Sequence, residues 1–415
     1  VRILHFSKYY AKGGASKAAL QSVLSQRAAG IDALLCVGRR TGQSHEWLLE
    51  PNPVQDLMAL GRFALERLPS RLCGVDRFDT RSIAVTGIDG PKLAREMGAD
   101  LCVLHNIDGL LSVETISRFA CPVVWRVHDM WAMCGSEHYT SDEQAYRCAH
   151  AANPPDYLSA WTFQRKVKAF SKLSSLTICS PSRWLAREFE SSELFHDRQV
   201  VVIPNGVDTS RFTPQDRRAA RLRLNLNPDN PIVAFGAAMG TADPRKGFDL
   251  LLRSLRQHVD RFKEQNIRIA LFGGGTIPGL DLDVHNFGSV EDRSTLCDIY
   301  SAASVIVVPS RMENLSLMVL EALSCGTPVV AFKIGGMPDM IIPGRTGWLV
   351  EPFNIDLLAD HVLDGARISV KNSQVRSQCR DAILGNFTLE VEAREMRRMF
   401  ENILYHQPSF MPPVQ

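Results

Sequence analysis

The sequence predicts an α/β protein made of two doubly wound parallel sheets, one following the other along the chain. Three observations predict it. Short runs rich in Val, Ile and Leu alternate with longer helix-like runs, the pattern of parallel strands joined by crossover helices. The alternation starts afresh near residue 205. At 415 residues the chain is too long for one ordinary core and suits two.

The strand-like runs of the first half are "VRILHFS", "DALLCVG", "ADLCVLHN", "PVVWRVHD" and "LTICSPS"; those of the second are "PIVAFGA", "IRIALFGGG", "SVIVVPS" and "TPVVAF". Between them, "VVIPNGVDTSRFTP" carries turn signals at Pro204-Asn205-Gly206 and at Pro214. The expected domains are therefore 1–204 and 205–385, with a terminal segment 386–415. In that segment Thr388 precedes an acidic first turn, the start of a helix. Residues 56–72, "DLMALGRFALERLPSRL", place Arg62, Arg67 and Arg71 among apolar residues at helical spacing. This suits a basic amphipathic helix lying on a membrane surface, although an ordinary outer helix is the favoured reading.

Composition excludes several classes. With 45% hydrophobic and 22% charged residues the chain reads as globular, and its net charge of +2 gives no field for nucleic acid. Ten cysteines lie scattered without a CxxC pair, which predicts free thiols in a reducing compartment. The opening "VRILHFS" reads as a strand and not as a leader, and no run approaches the ~20 apolar residues of a membrane span. The expected location is the cytoplasm, with contact at the inner membrane face left open.

In open α/β sheets ligands bind beyond the carboxyl ends of the strands. In the second half, "SVIVVPSRMENLSLMVLEALSCGTPVVAF" reads strand, loop, helix, turn, strand. The helix begins after Ser316, which can cap it, and its opening amides suit an anion. Glu313 lies in the loop. Glu321 lies in the helix's second turn, a carboxylate in an otherwise apolar run that needs a partner. A vicinal diol of a ribose or sugar would supply one; so would an internal Arg or a backbone amide. In "GTADPRKGFDLLL", Arg245 and Lys246 precede a helix whose dipole they oppose, so they suit a pyrophosphate clamp. "LFGGGTIPG" is a Gly-rich turn, but no G-x-G-x-x-G fingerprint occurs.

In the first half, Gly13-Gly14 open a helix and permit close approach of a phosphate or sugar. His128-Asp129 end one strand-like run and His105-Asn106 another. One histidine is expected at a site and the other in a structural role. Cys134, His138, Cys148 and His150 have no zinc-like spacing, and no metal site is expected.

With these pieces placed, the chain resembles the retaining glycosyltransferases of family 4. Glu313 and Glu321 match that family's E-x7-E signature, and "PSRMENLSLMVLEALSCGTPVVAFKIGGMPDMI" is similar to its segment nearly throughout. "SPSRWLA", "IPNGVD", "DPRKGFDLLL" and "GSVEDRSTLCDIYSAASVIVVPS" follow in the family's order. "HDMWAMCGSEHY" resembles a subgroup from bacterial exopolysaccharide and colanic-acid-like clusters.

The resemblance implies the GT-B fold: two Rossmann-like domains facing across a cleft, with a C-terminal helix crossing back to the first. It implies a nucleoside-diphosphate sugar bound by the second domain and an acceptor, a glycan or lipid-linked oligosaccharide, bound by the first. It assigns His128 and Glu313 to the transferred sugar, and Asn314, Leu315 and Ser316 to sugar and phosphate. Lys246 falls to the pyrophosphate, Glu321 to the ribose, Gly14 to the first Gly-rich loop, and Gly288–Val290 to the base. No metal and no other cofactor is implied. One departure stands out: many members carry an Arg after the Gly that ends the first strand of the second domain, and here no Arg follows Gly236. Arg245 is the candidate replacement. An epimerase of the same fold, or a non-catalytic binder of nucleotide sugars, would share much of this site.

Overall fold

The structure, a computed structural model, describes residues 1–72, 81–147, 157–173, 175–236, 243–277, 279–371 and 374–405. It divides into two compact units, residues 1–203 with 390–415, and residues 204–389.

The first unit is built on seven strands: β1 (Arg2–Ser7), β2 (Asp32–Val37), β3 (Leu48–Leu49), β4 (Leu101–Leu104), β5 (Val123–Arg126), β6 (Leu176–Ser180) and β7 (Gln199–Val202). Their order is β3-β2-β1-β4-β5-β6-β7 and every pairing is parallel. The second unit has β8 (Ile232–Gly236), β9 (Arg268–Phe272), β10 (Val284–Asn286), β11 (Val305–Val308), β12 (Val329–Phe332) and β13 (Gly347–Val350), in the order β10-β9-β8-β11-β12-β13, again all parallel. Each sheet runs outward from its first strand in both directions. Each therefore has one switch point, between β1 and β4 and between β8 and β11, where a crevice opens for a ligand.

Four strands were not foreseen. β3, β10 and β13 are edge or near-edge pieces of two to four residues. β7 occupies part of the segment read as a linker, and its burial is incomplete because it too is an edge. The central strands β4, β5, β11 and β12 are buried at every position, as parallel strands covered on both faces must be.

The helices that matter below are α1 (Gly13–Ala28), α2 (Pro53–Leu72), α3 (Tyr157–Phe170), α4 (Phe248–Gln257), α5 (Arg293–Ala302), α6 (Leu317–Ser324) and α7 (Leu389–Tyr405). Helix α7 packs Met396, Met399, Phe400 and Ile403 on Ile3, Leu101, Val103 and Val124 of the first sheet. Buried Glu392 pairs there with buried Arg126 at 3.4 Å. The chain thus leaves the first unit after β7 and comes back to it at its end. Among the described residues no helix is long and apolar enough to cross a membrane.

Candidate active site

The second unit brings Lys246 and Glu313, from the loops after its first and fourth strands, into direct contact. After β8 the chain re-enters as a short turn, Pro244–Lys246, capped by the Asp243 carboxylate, which accepts from the Arg245 amide at 3.0 Å and from its guanidinium at 2.8 Å. Gly247 follows with φ of 66°. A Cβ there would lie 1.8 Å from the Pro309 carbonyl oxygen, so only glycine lets the turn sit against the loop after β11. Arg311 ties the two loops together. Its amide donates to the Arg245 carbonyl at 2.7 Å, and its guanidinium grips Asp249 of α4 through two 2.6 Å bonds.

This zipper delivers Lys246 to Glu313, whose Oε2 accepts from the lysine Nζ. Two residues flagged separately in the sequence are thus a direct ion pair at the crevice. Asn314, Leu315 and Ser316 are buried beside them. Ser316 stands at the N-cap position of α6, but its hydroxyl does not cap, contrary to expectation. The opening amides of α6 are left without that competitor, and the dipole of the helix favours an anion in front of them. Ser310 Oγ, buried in the same loop, has no protein partner.

Glu321 needs a second correction. It is half-buried, not sealed in a core, and its Oε2 accepts from the Tyr300 hydroxyl of α5 at 2.7 Å. Burial and the adjacent carboxylate raise Tyr300 well above the ordinary phenol range, so it stays a donor. The only sequence signal for this pair was that a buried Tyr needs a partner for its hydroxyl.

The Gly-rich turn Gly273–Gly275 has positive φ throughout. It is stitched to the segment after β10: the Gly273 amide donates to the Gly288 carbonyl at 2.7 Å, and the Asn286 side-chain amide donates to the Gly275 carbonyl at 2.6 Å. Val290, half-buried against the core, follows directly. Residues 237–242, where the family Arg would be sought, lie outside the described residues.

The first unit gathers its residues at its own switch point. Lys8, following β1, pairs with Asp108, following β4, and both are buried. Neither was foreseen. Asn106 Oδ1 and Asp108 Oδ1 are buried there without protein partners. Gly14 lies exposed in the first turn of α1 with open space around it, while Gly13 carries the positive φ of 82° that turns the chain into the helix.

A cleft beside this point is lined by His105, Asn106, His128, Asp129, Trp131 and His138. His105 is the more enclosed of the two candidate histidines. It is buried, and its ring bonds His5 at 2.9 Å and His128 at 3.0 Å. His128 is half-buried at the strand end. Burial lowers His128 to about 3 and His5 to about 4, so both rings are neutral. His138 is engaged at both ring nitrogens: its Nδ1 meets Asp129 Oδ2 at 2.6 Å and its Nε2 meets Ser82 Oγ at 2.9 Å. The carboxylate outweighs burial and raises His138, while His138 helps hold Asp129 below its ordinary range despite desolvation. Lys166 of α3 braces the same loop from beneath, donating to the carbonyls of Trp131, Cys134 and Gly135. Cys148 and His150 lie outside the described residues. Among the described residues no group of three or more metal-ligating side chains is placed to hold an ion.

Comparison with known proteins agrees with this geometry. Residues 12–211 match the model of "Glycosyltransferase Family 4", and residues 230–366 match that of "Glycosyl transferases group 1". A D-inositol 3-phosphate glycosyltransferase of Kribbella flavida is 36% identical over 71% of this chain and 67% of its own length. A second relative so named, from Catenulispora acidiphila, is 36% identical over 37% of this chain, and the match spans only 39% of that protein. Among solved structures, sucrose-phosphate synthase of Thermosynechococcus elongatus superposes with a TM-score of 0.70 at 20% identity, covering 98% of this chain and all of that one. Anabaena HepE, solved with UDP-glucose, superposes with a TM-score of 0.66 at 16% identity, covering 97% and 99%. Two parallel units of the GT-B type and matches spanning both of them lead to one statement: the chain belongs to the family 4 glycosyltransferases.

Proposed function

We propose that the protein transfers a sugar from a nucleoside-diphosphate sugar to an acceptor hydroxyl with retention at the anomeric carbon. The observation that carries this reading is the Lys246–Glu313 pair in front of the α6 amides, with Glu321 one and a half turns along the helix. An arriving diphosphate offers Lys246 a better partner than Glu313. Exchange of that partner holds the phosphates and releases the Glu313 carboxylate toward the sugar. Arg245 and the α6 amides then meet the charge that develops as the diphosphate leaves, the kind of preorganised electrostatics that dominates catalysis. Glu321, with one oxygen engaged by Tyr300, has lone pairs left to accept from a ribose diol. Phosphate charge is met here by cationic side chains and amides, which supports a metal-independent donor site. Val290 and the glycine turn form the wall assigned to the base, and Gly14 and His128 are the first unit's groups for the sugar.

The acceptor is proposed to be lipid-linked, in the synthesis of a bacterial surface polysaccharide or glycoconjugate at the inner face of the membrane. Helix α2 supports this. Val54, Leu57, Met58, Leu65 and Leu68 form one exposed apolar stripe along it. Its acids are turned inward: Asp56 to Arg39, and Glu66 to the amides of Ile83, Ala84 and Val85. The remaining charges of the helix are arginines, which suits an anionic bilayer. The names of the relatives favour a second acceptor, an inositol phosphate.

The test is a thermal-shift screen of UDP, GDP, ADP and their sugars, with and without Mg²⁺. A ligand at 100 times its Kd stabilises by about 2.7 kcal/mol. One nucleotide should stand out with or without the ion, and Glu321→Ala should lose it. No shift with any nucleotide sinks the reading. Turnover with D-inositol 3-phosphate against a lipid-linked glycan separates the acceptors. Flotation with anionic vesicles, lost in a Leu57→Asp, Leu65→Asp double variant, tests the stripe.

A further inference from the structure

Cys121 stands apart from the other thiols. Eight of the ten cysteines lie within the described residues, and among those eight it alone is not buried. Its sulfur lies 3.5 Å from that of Cys102 in β4. Strand register explains the meeting. Cys102 is the partner of Val123 in β5, and its amide donates to the Pro122 carbonyl at 3.0 Å. Side chains two apart on an extended chain share a face, so Cys121 falls on the face of Val123, beside Cys102. The proline that follows biases Cys121 toward extended backbone.

The two thiols are unlike. Cys102 has no exposed surface, and its contact with Cys121 together with burial raises it. The same contact lowers Cys121, against its own burial and the Asp100 carboxylate. Thiolate therefore forms at the more accessible sulfur, with the Cys102 S–H beside it. Thiolate is the reactive form, and a partly exposed one next to a second thiol has the layout of a two-step oxidation. Nearness alone does not give this. Cys297 of α5 and Cys325, which follows α6, lie 3.7 Å apart, and that contact lowers Cys297 to about 6. Both are sealed, at 5% and 0% exposure, so neither offers an oxidant a surface to attack.

We propose that Cys121 and Cys102 form an oxidation site for hydrogen peroxide, in which Cys121 reacts first and Cys102 resolves it as a disulfide. The Cys121 thiolate attacks one peroxide oxygen. The S–O bond forms, the O–O bond breaks, and the departing hydroxide takes a proton from solvent, leaving a sulfenic acid. The Cys102 sulfur then attacks Cys121. The S–S bond forms, the S–O bond breaks, and the second hydroxide leaves as water with the Cys102 proton. Two thiols are oxidised to one disulfide and one peroxide is reduced to two waters. The sulfurs must close from 3.5 Å to about 2.0 Å. A dithiol reductant returns both thiols. The bond closes the crossover from β4 to β5, the segment that carries His105, Asn106 and Asp108 of the cleft. The site owes nothing to the transferase reading.

The test treats the reduced full chain with hydrogen peroxide, blocks the remaining thiols with N-ethylmaleimide, and maps tryptic peptides by mass without reduction. Cys102 and Cys121 fall on separate peptides, residues 96–118 and 119–126. These should appear joined, lighter by two hydrogens than their sum, and should separate again after a dithiol. In Cys102→Ala the resolving sulfur is gone, so Cys121 should stop at the sulfenic acid and take up dimedone. Should that variant fail to fold, Cys121→Ser alters only the partly exposed position, and Cys102 should then stay unmodified. Three results overturn the proposal. One is no joined peptide while circular dichroism shows the fold intact. Another is dimedone on Cys102 in Cys121→Ser. The third is a link between residues 294–311 and 312–333, which carry Cys297 and Cys325, forming before the first.

Discussion

The two units put the same pair of charges at the same topological place and use it differently. In each, a lysine follows the first strand and a carboxylate follows the fourth: Lys8 with Asp108, Lys246 with Glu313. The first pair is sealed, with side chains 9% and 7% exposed, under the rings of Tyr9 and Phe63. The second is open, at 29% and 13%, beside uncapped helix amides. A sealed pair has nowhere to go, so it fixes two loops. An open pair can exchange partners, so it can serve a ligand. The position belongs to the fold, while exposure decides what it does.

The largest effect should come from breaking the sealed pair. Asp108→Ala leaves the Lys8 ammonium buried and unpaired, and denaturant unfolding should show a loss of about 3–5 kcal/mol. Lys246→Met should cost about 1 kcal/mol or less in the same experiment, because that pair is partly solvated. A similar loss in both would erase the distinction.

Next in size is the ligand side of the comparison. Removing the lysine's charge-assisted bond to phosphate should weaken nucleotide-sugar binding by about 1.5–3 kcal/mol, or roughly 10- to 100-fold, in titration calorimetry. Unchanged binding in Lys246→Met would make the open pair as structural as the sealed one.

A smaller effect is expected at Tyr300. Tyr300→Phe removes one donor to Glu321 and should cost about 0.5–1.5 kcal/mol of stability. Glu321→Ala should in addition abolish any preference for a ribonucleotide over its 2′-deoxy or 3′-deoxy analogue. A preference that survives would place the diol elsewhere.

The smallest effect sharpens the contrast through pH. His138 is raised by Asp129, so the pair's contribution is complete below the unfolded histidine value of about 6.5 and above that of Asp near 3.9. It is lost as pH rises through the raised folded value. The stability difference between wild type and His138→Gln should therefore shrink from pH 6 to pH 9. A difference that stays constant or widens over that range would mean that Asp129 does not raise His138 in the fold.

Much of the second unit was legible because its chemistry is local in sequence. Glu313 and Glu321 sit on one loop and helix, and Arg245-Lys246 betray themselves by opposing a helix dipole. What stayed hidden was pairing at long range. Lys8–Asp108 and His5–His105 each join residues 100 apart, and nothing at either end marks the other. Tyr300 and Glu321 are only 21 apart, yet α5 and α6 had to be packed before they met. The missed strands failed for a different reason. Gln199–Val202 and Val284–Asn286 are short, incompletely buried edges, so they lack the apolar run that marks a central strand.

Helix α6 has a consequence for anyone who would change the donor. The helix that carries Glu321 also gives Val319, Leu320, Ala322 and Leu323 to the core of its unit, at zero exposure. Library diversity spent there would mostly yield unfolded clones, and a deep mutational scan would score α6 as intolerant for two unrelated reasons. The exposed Thr276 and Ser289 on the rim carry no such double duty. On the proposed reading, directed evolution of nucleotide preference should draw its productive variants from that rim, where a substitution leaves the apolar core of the unit untouched.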